Sequence, residues 1–261
     1  MIRQGKMDSV LKRVDIIGVP ISAVNMEKCM EIIFGDFEKI RGKYICVSNV
    51  HTTVMAHDDP EYYKVQAESL MSVPDGKPLS VIGKMQFPDM ERVTGPDLMR
   101  KIMSEKKYVR HFFYGNNKCN LEKMIKVLRQ NYPDIIIVGY EPSVFRVMSK
   151  KEENDLAERI NKTKPDIVWV ALGAPRQELF CYRMKDHING LMIGVGGAFN
   201  ILAGIIPEAP VWMQKLSLEW LFRLIQEPRR LFKRYAISNS KFIWYLITKE
   251  KPRCFEKNEH I

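Results

Sequence analysis

This chain has no CxxC pair, no HExxH, no Asp-x-Asp and no GxxxxGKS/T, and it lacks an uninterrupted apolar run of the roughly 18 residues a spanning helix needs. Each gap removes a class of protein. The five cysteines (Cys29, Cys46, Cys119, Cys181, Cys254) are odd in number and widely spaced, so neither a disulfide framework nor a structural zinc site is implied, and a reducing cytosol fits best. The histidines do not pair at ligand spacing, and Asp58-Asp59 precedes a proline as a helix cap would. Metal-independent chemistry is the expectation. The first residues, MIRQGKMDSVLKRVD, carry charge but no apolar segment, so the chain is not expected to cross a membrane.

What is present begins with uneven charge. Between Val211 and Arg253 ten Lys or Arg face three acids, a net +7 out of +10 for the whole chain. A nucleic-acid-coating protein would spread its charge more widely, and no nucleic-acid module is recognisable, so no nucleic-acid partner is expected. The 46% hydrophobic content over 261 residues suits one α/β domain with an appendage.

Strand-length apolar runs lie at 14–19, 44–47, 70–73, 111–114, 135–138, 167–172 and 191–195. Helical patterns lie between them, among others at 26–39, 97–106, 118–131 and 152–163. The alternation predicts α/β architecture: a Rossmann-like, mostly parallel sheet flanked by helices. After Glu208–Pro210 strand-like runs stop, which predicts an α/β core, residues 1–208, expected to hold any catalytic site, and a helical, basic appendage, 209–261, a candidate for membrane association.

In open α/β sheets ligands bind at the carboxyl ends of strands, so the turns after strands carry the chemistry. Asp75, in Pro74-Asp75-Gly76, is held between a rigid and a permissive residue and suits a general base; an ordinary Asp-Gly turn explains the same residues. Gln177 and Glu178 follow Gly173-Ala174-Pro175 at a helix start, where exposed N–H groups favour phosphate, unless Gln177 merely satisfies the first turn. Asn49 follows another strand. Gly196 and Gly197 lack the third glycine of a dinucleotide fingerprint, so no cofactor is expected, and close packing explains them as well. Without a metal, a nucleotide diphosphate needs arginines and helix N-termini, and Arg92 and the tail arginines qualify.

On a helix starting at Pro228, with Arg230 at zero, Arg234 falls at about 40° and Lys241 at about 20°. Leu231, Phe232, Tyr235, Phe242, Ile243 and Leu246 lie between about 100° and 220°. One face is basic and the other apolar. The apolar face packs on the sheet, contacts a second copy in a homo-oligomer, or lies in an anionic membrane surface; the charge excess and the aromatic residues favour the membrane.

Several ordered motifs, over roughly residues 10–245, carry a resemblance. They are Pro74-Asp75-Gly76, Glu91-Arg92-Val93-Thr94-Gly95-Pro96-Asp97, Gly173 to Glu178, Gly194 to Phe199, Ala209 to Gln214, Leu218 to Leu224 and Glu227-Pro228-Arg229-Arg230. Together they resemble the WecG/TagA/CpsF glycosyltransferases. The resemblance implies inverting transfer of a sugar, best taken as N-acetylmannosamine, from a UDP-sugar donor to an undecaprenyl-diphosphate-linked saccharide acceptor for cell-surface polysaccharide or teichoic acid. It implies a cytoplasmic enzyme peripheral on the inner face of a bacterial cell membrane. By the same likeness Asp75 is the base, Asn49 and Gln177 line the pocket, and Arg92 contacts donor or phosphate. Arg223, Arg229, Arg230 and Arg234 reach the acceptor diphosphate. Asn200 stands where the family often has Asp, and Val47 where Thr is common, which leaves UDP-glucuronate, UDP-N-acetylmannosaminuronate and UDP-glucose open as donors. A non-catalytic nucleotide-binding membrane module is the competing class.

Overall fold

The computed structural model describes residues 11–105, 108–215 and 218–256, and the side chains of Val211, Lys215, Arg230, Phe255 and Glu256 lie outside what it describes. The first apolar run, expected as one strand, is a hairpin: β1 (Arg13–Ile16) pairs antiparallel with β2 (Val19–Ser22). Ile17 and Gly18 both take left-handed φ, and Asp15 Oδ1 accepts from Gly18 N at 2.5 Å, which turns the chain back within two residues.

Six strands then build a parallel sheet: β3 (Tyr44–Ser48), β4 (Met71–Pro74), β5 (Arg110–Gly115), β6 (Ile136–Glu141), β7 (Ile167–Ala171) and β8 (Leu191–Gly194). Their spatial order is β4-β3-β8-β7-β5-β6. β3, β7 and β8 are interior and buried along their whole length, which is why their sequences are apolar runs without alternation. One face carries helices Met26–Gly35, Gly95–Ser104 and Lys118–Asn131 over Trp169 and Phe113, joined by Phe199 of the short helix Ala198–Leu202. The other carries Lys150–Lys162 and Arg176–Met184 over Tyr44, Phe112 and Tyr114, with Phe180 contributed by the second helix. The helix expected over 26–39 breaks at Asp36, whose φ of −159° leaves the helical region and whose side chain caps a short second helix, Phe37–Ile40.

Register brings the strand ends level. Ser48 lies opposite Pro74, and Gly194 opposite both Cys46 and Val170, so Asn49, Asp75 and Val195 emerge side by side at the carboxyl edge.

Beyond residue 208 the described elements are all helical, the longest being Pro228–Thr248 with Pro228 in its first turn. Its single expected apolar face is instead two. Leu231, Phe242 and Tyr245 are buried, and Phe242 and Tyr245 join the core under helix Val50–Asp58 and the hairpin. Burial of three such side chains contributes about 1.5–3 kcal/mol each, as an upper bound. Phe232, Ile243 and Ile247 point the other way and are 66%, 55% and 74% exposed. Lys241, expected on a free basic face, pairs with Asp58. A helix of 21 residues has room for a docking stripe and an outward stripe.

Candidate active site

Asp75 leaves the end of β4 with its N–H bonded to Ser48 O at 2.6 Å, and Val93 N donates to Pro74 O at 2.8 Å. The turn continues through Gly76 at φ +117°, a conformation that side-chain-bearing residues rarely adopt. Asp75 is half-buried. Desolvation pushes its carboxyl up to about 6, opposed by the positive charges of Arg223 and Arg92 and assisted by Glu219 and Asp97. A carboxylate so placed is ionised at neutral pH yet basic enough to take a proton from a hydroxyl.

The two arginines come from different parts of the chain. Arg92 sits on the segment tied to β4 and hydrogen-bonds Glu219 of helix Glu219–Gln226. One turn later the same helix supplies Arg223, whose guanidinium lies 3.8 Å from where a β-carbon on Gly197 would stand. Tail, glycine turn and Asp75 therefore share one mouth. Glu219, which fixes Arg92 there, has no signature in the sequence beyond being one of few acids in a basic stretch.

Gln177 opens helix Arg176–Met184 and is buried. Its Oε1 accepts from Gly173 N at 3.1 Å and its Nε2 donates to Glu178 Oε1 at 2.7 Å. It lies across the end of β8, where a β-carbon on Gly194 or Gly196 would come within 3.3 Å of it; this close approach is what the glycines permit. Glu178 is only 1% exposed and lies beneath the mouth rather than in it. Burial raises its carboxyl to about 7. Asn49 caps helix Val50–Asp58, accepting from His51 N and Thr52 N at 3.0 and 3.2 Å, which commits its carbonyl to the backbone.

Asn200, after the glycine turn, accepts from Asn116 and Asn120 at 2.7 and 3.2 Å, an amide cluster between the ends of β5 and β8 that spacing alone did not suggest. Arg234 stands close enough to His51 that, after desolvation, its charge helps lower that imidazole to about 4. Arg229 is exposed. The Arg230 side chain lies outside the described residues. Among the described residues, no three His, Cys, Asp or Glu gather as metal ligands, and no helix is long and apolar enough to cross a membrane.

Residues 14–254 match the model of the Glycosyl transferase WecG/TagA/CpsF family. Two relatives carry the name N-acetylglucosaminyldiphosphoundecaprenol N-acetyl-beta-D-mannosaminyltransferase. The protein from Bacillus subtilis is 31% identical over 216 residues, covering 81% of this chain and 82% of its own. The one from Bacillus spizizenii is 29% identical over 215 residues, covering 81% of each.

Proposed function

Because the chain belongs to the WecG/TagA/CpsF family of glycosyltransferases, we propose that it transfers N-acetylmannosamine from its UDP-sugar to undecaprenyl-diphosphate-linked N-acetylglucosamine, with inversion at the anomeric carbon. The observation that carries this reading is Asp75, a desolvated carboxylate at the carboxyl edge of the sheet with Arg92 and Arg223 beside it. Asp75 removes the proton of the acceptor hydroxyl as that oxygen attacks the anomeric carbon from the face opposite UDP. The bond from that carbon to the diphosphate oxygen breaks, and the electron pair leaves with UDP. Arginine charge near the mouth favours the departing diphosphate. One displacement needs no covalent enzyme intermediate.

Residues 209–261 act as the appendage that brings lipid-linked acceptor to this mouth. The outward stripe of Phe232, Ile243 and Ile247, with exposed Trp212, Trp220 and Trp244 nearby in sequence and basic residues between, suits the headgroup region of an anionic membrane. The protein works on the cytoplasmic face of the bacterial membrane, where UDP-sugars are available.

The test is a panel of UDP-sugars against a short-chain lipid-diphosphate N-acetylglucosamine acceptor. UDP-N-acetylmannosamine is expected to be used best; preference for UDP-glucuronate, UDP-N-acetylmannosaminuronate or UDP-glucose reassigns the donor. Asp75→Asn is expected to lose about 10²–10⁴-fold in kcat while still binding UDP, and near-normal turnover would sink the assignment of the base.

A further inference from the structure

Behind Gln177 lies a buried polar row that takes no direct part in the proposed transfer. The Gln177 amide is fixed in one orientation: Oε1 receives Gly173 N–H and Nε2 gives to Glu178 Oε1, so a flip would set donor against donor at Gly173. Glu178 in turn faces the hydroxyl of Tyr62, which also faces Gln66. Glu178 Oε2, Tyr62 Oη and Gln66 Nε2 are buried and face one another, without close hydrogen-bond geometry between them. Gln66 Oε1 receives the hydroxyls of Ser48 and Ser72, each at 2.6 Å, and the carbonyl of Ser48 receives Asp75 N–H. The row thus runs from the strand end that bears Asp75 to the amide lying across the glycine turn.

Such a row is costly to bury, and its polar atoms find partners only along the row itself. Tyr62, Cys46 and Cys181 are the titratable groups facing Glu178, and none brings it a positive charge. We propose that Glu178 is a positioning residue for sugar transfer: its carboxyl fixes the Gln177 amide against the glycine turn and so sets the donor end of the site. This rests on the transfer reaction proposed above. It also moves Glu178 out of direct substrate contact, since a side chain 1% exposed beneath Gln177 reaches the donor only through that amide.

A double-mutant cycle separates positioning from bulk stability. Glu178→Leu keeps volume and removes the acceptor; it is expected to raise the KM and Kd for the UDP-sugar by about tenfold or more, with the KM for the lipid acceptor unmoved. Gln177→Ala with Glu178→Leu should be no more than about twofold worse than Gln177→Ala alone, because Glu178 acts through Gln177. Glu178→Gln restores the acceptor and should return donor binding to within about threefold of the parent.

Additive losses, unchanged donor binding in Glu178→Leu, or damage in Glu178→Gln equal to that in Glu178→Leu would each overturn the proposal. If Glu178→Leu fails to fold, Glu178→Met, which also removes the carboxyl acceptor, takes its place throughout the cycle. The cycle is read on UDP-sugar binding as well as on turnover. Survival of activity in Asp75→Asn would therefore overturn the proposed function while leaving this cycle to be judged by itself.

Discussion

Two aspartates meet the C-terminal helices, and the helices treat them in opposite ways. At Asp58 the long helix delivers Lys241 Nζ and the Tyr245 hydroxyl at 2.5 and 2.6 Å. Burial alone would raise this carboxyl, but those bonds outweigh burial and hold it below the ordinary range. At Asp75 the preceding helix supplies the charge of Arg223, and here burial wins, to about 6. Asp58 is a joint; Asp75 is left short of compensation and so stays basic. Direct hydrogen bonds hold a helix in place, whereas charge held nearby leaves a carboxylate free to accept a proton.

The largest effect should come from removing the charge at the mouth. Cutting the chain after Glu208 is expected to abolish both transfer and liposome binding; a fully active fragment would refute the role given to the tail. Arg223→Ala isolates the chemical part. Its expected cost is about 10²-fold in kcat, and because Arg223 lowers the Asp75 carboxyl, the acid limb of the pH–rate profile should move upward from about 6. A limb that stays put or moves down breaks the coupling between the tail and Asp75.

Next in size is the joint. Asp58→Ala leaves Lys241 and the Tyr245 hydroxyl without their acceptor and should cost about 1–3 kcal/mol, read as a lower melting temperature with kcat at 25 °C largely kept. A loss of kcat with unchanged melting would reverse the roles assigned to the two aspartates. The outward stripe predicts a third pattern: Phe232→Ser, Ile243→Ser and Ile247→Ser together should weaken sedimentation with anionic liposomes without lowering the melting temperature, since these side chains pack on nothing in the core. Reduced melting with intact liposome binding would make the stripe a packing surface.

Much of this was legible in the sequence because it is local. Six of the apolar runs are strands of the parallel sheet within a few residues, and helix Lys118–Asn131 has the predicted ends, since turn and cap residues act within a few positions. The hairpin is not captured when Val14–Val19 is read as one apolar run, because its turn is signalled only by Asp15 and Gly18 inside that run, the two residues that bond to turn the chain back. The split of the tail helix was missed for a different reason. Periodicity places Phe232 and Phe242 on one arc, but which of them is covered depends on where helix Val50–Asp58 lies, some 180 residues earlier. At the site, the turns place Asp75 and Gln177 at strand ends, as their sequence positions imply, whereas the Glu219–Arg92 and Asn200–Asn116 pairings are long-range and have no spacing to betray them.

The smallest effect is the most discriminating, because its sign differs between the two aspartates. Asp75 has its folded value raised from 3.8 to about 6, so burying its charge costs stability; that cost is absent below about 3.8, grows as pH rises, and is complete above about 6. Asp75→Asn should therefore melt a few degrees higher than the parent at pH 7, with the gain vanishing near pH 3.5. Asp58 has its folded value lowered, so its contribution is present above the unfolded value and is lost as pH falls through the folded one. Asp58→Asn should accordingly melt lower at pH 7, with the deficit shrinking on acidification. Melting curves of the two variants across this range should converge on the parent from opposite sides. Curves that approach from the same side would mean that the two carboxylates are compensated alike, and the reason for choosing Asp75 as the base would be gone.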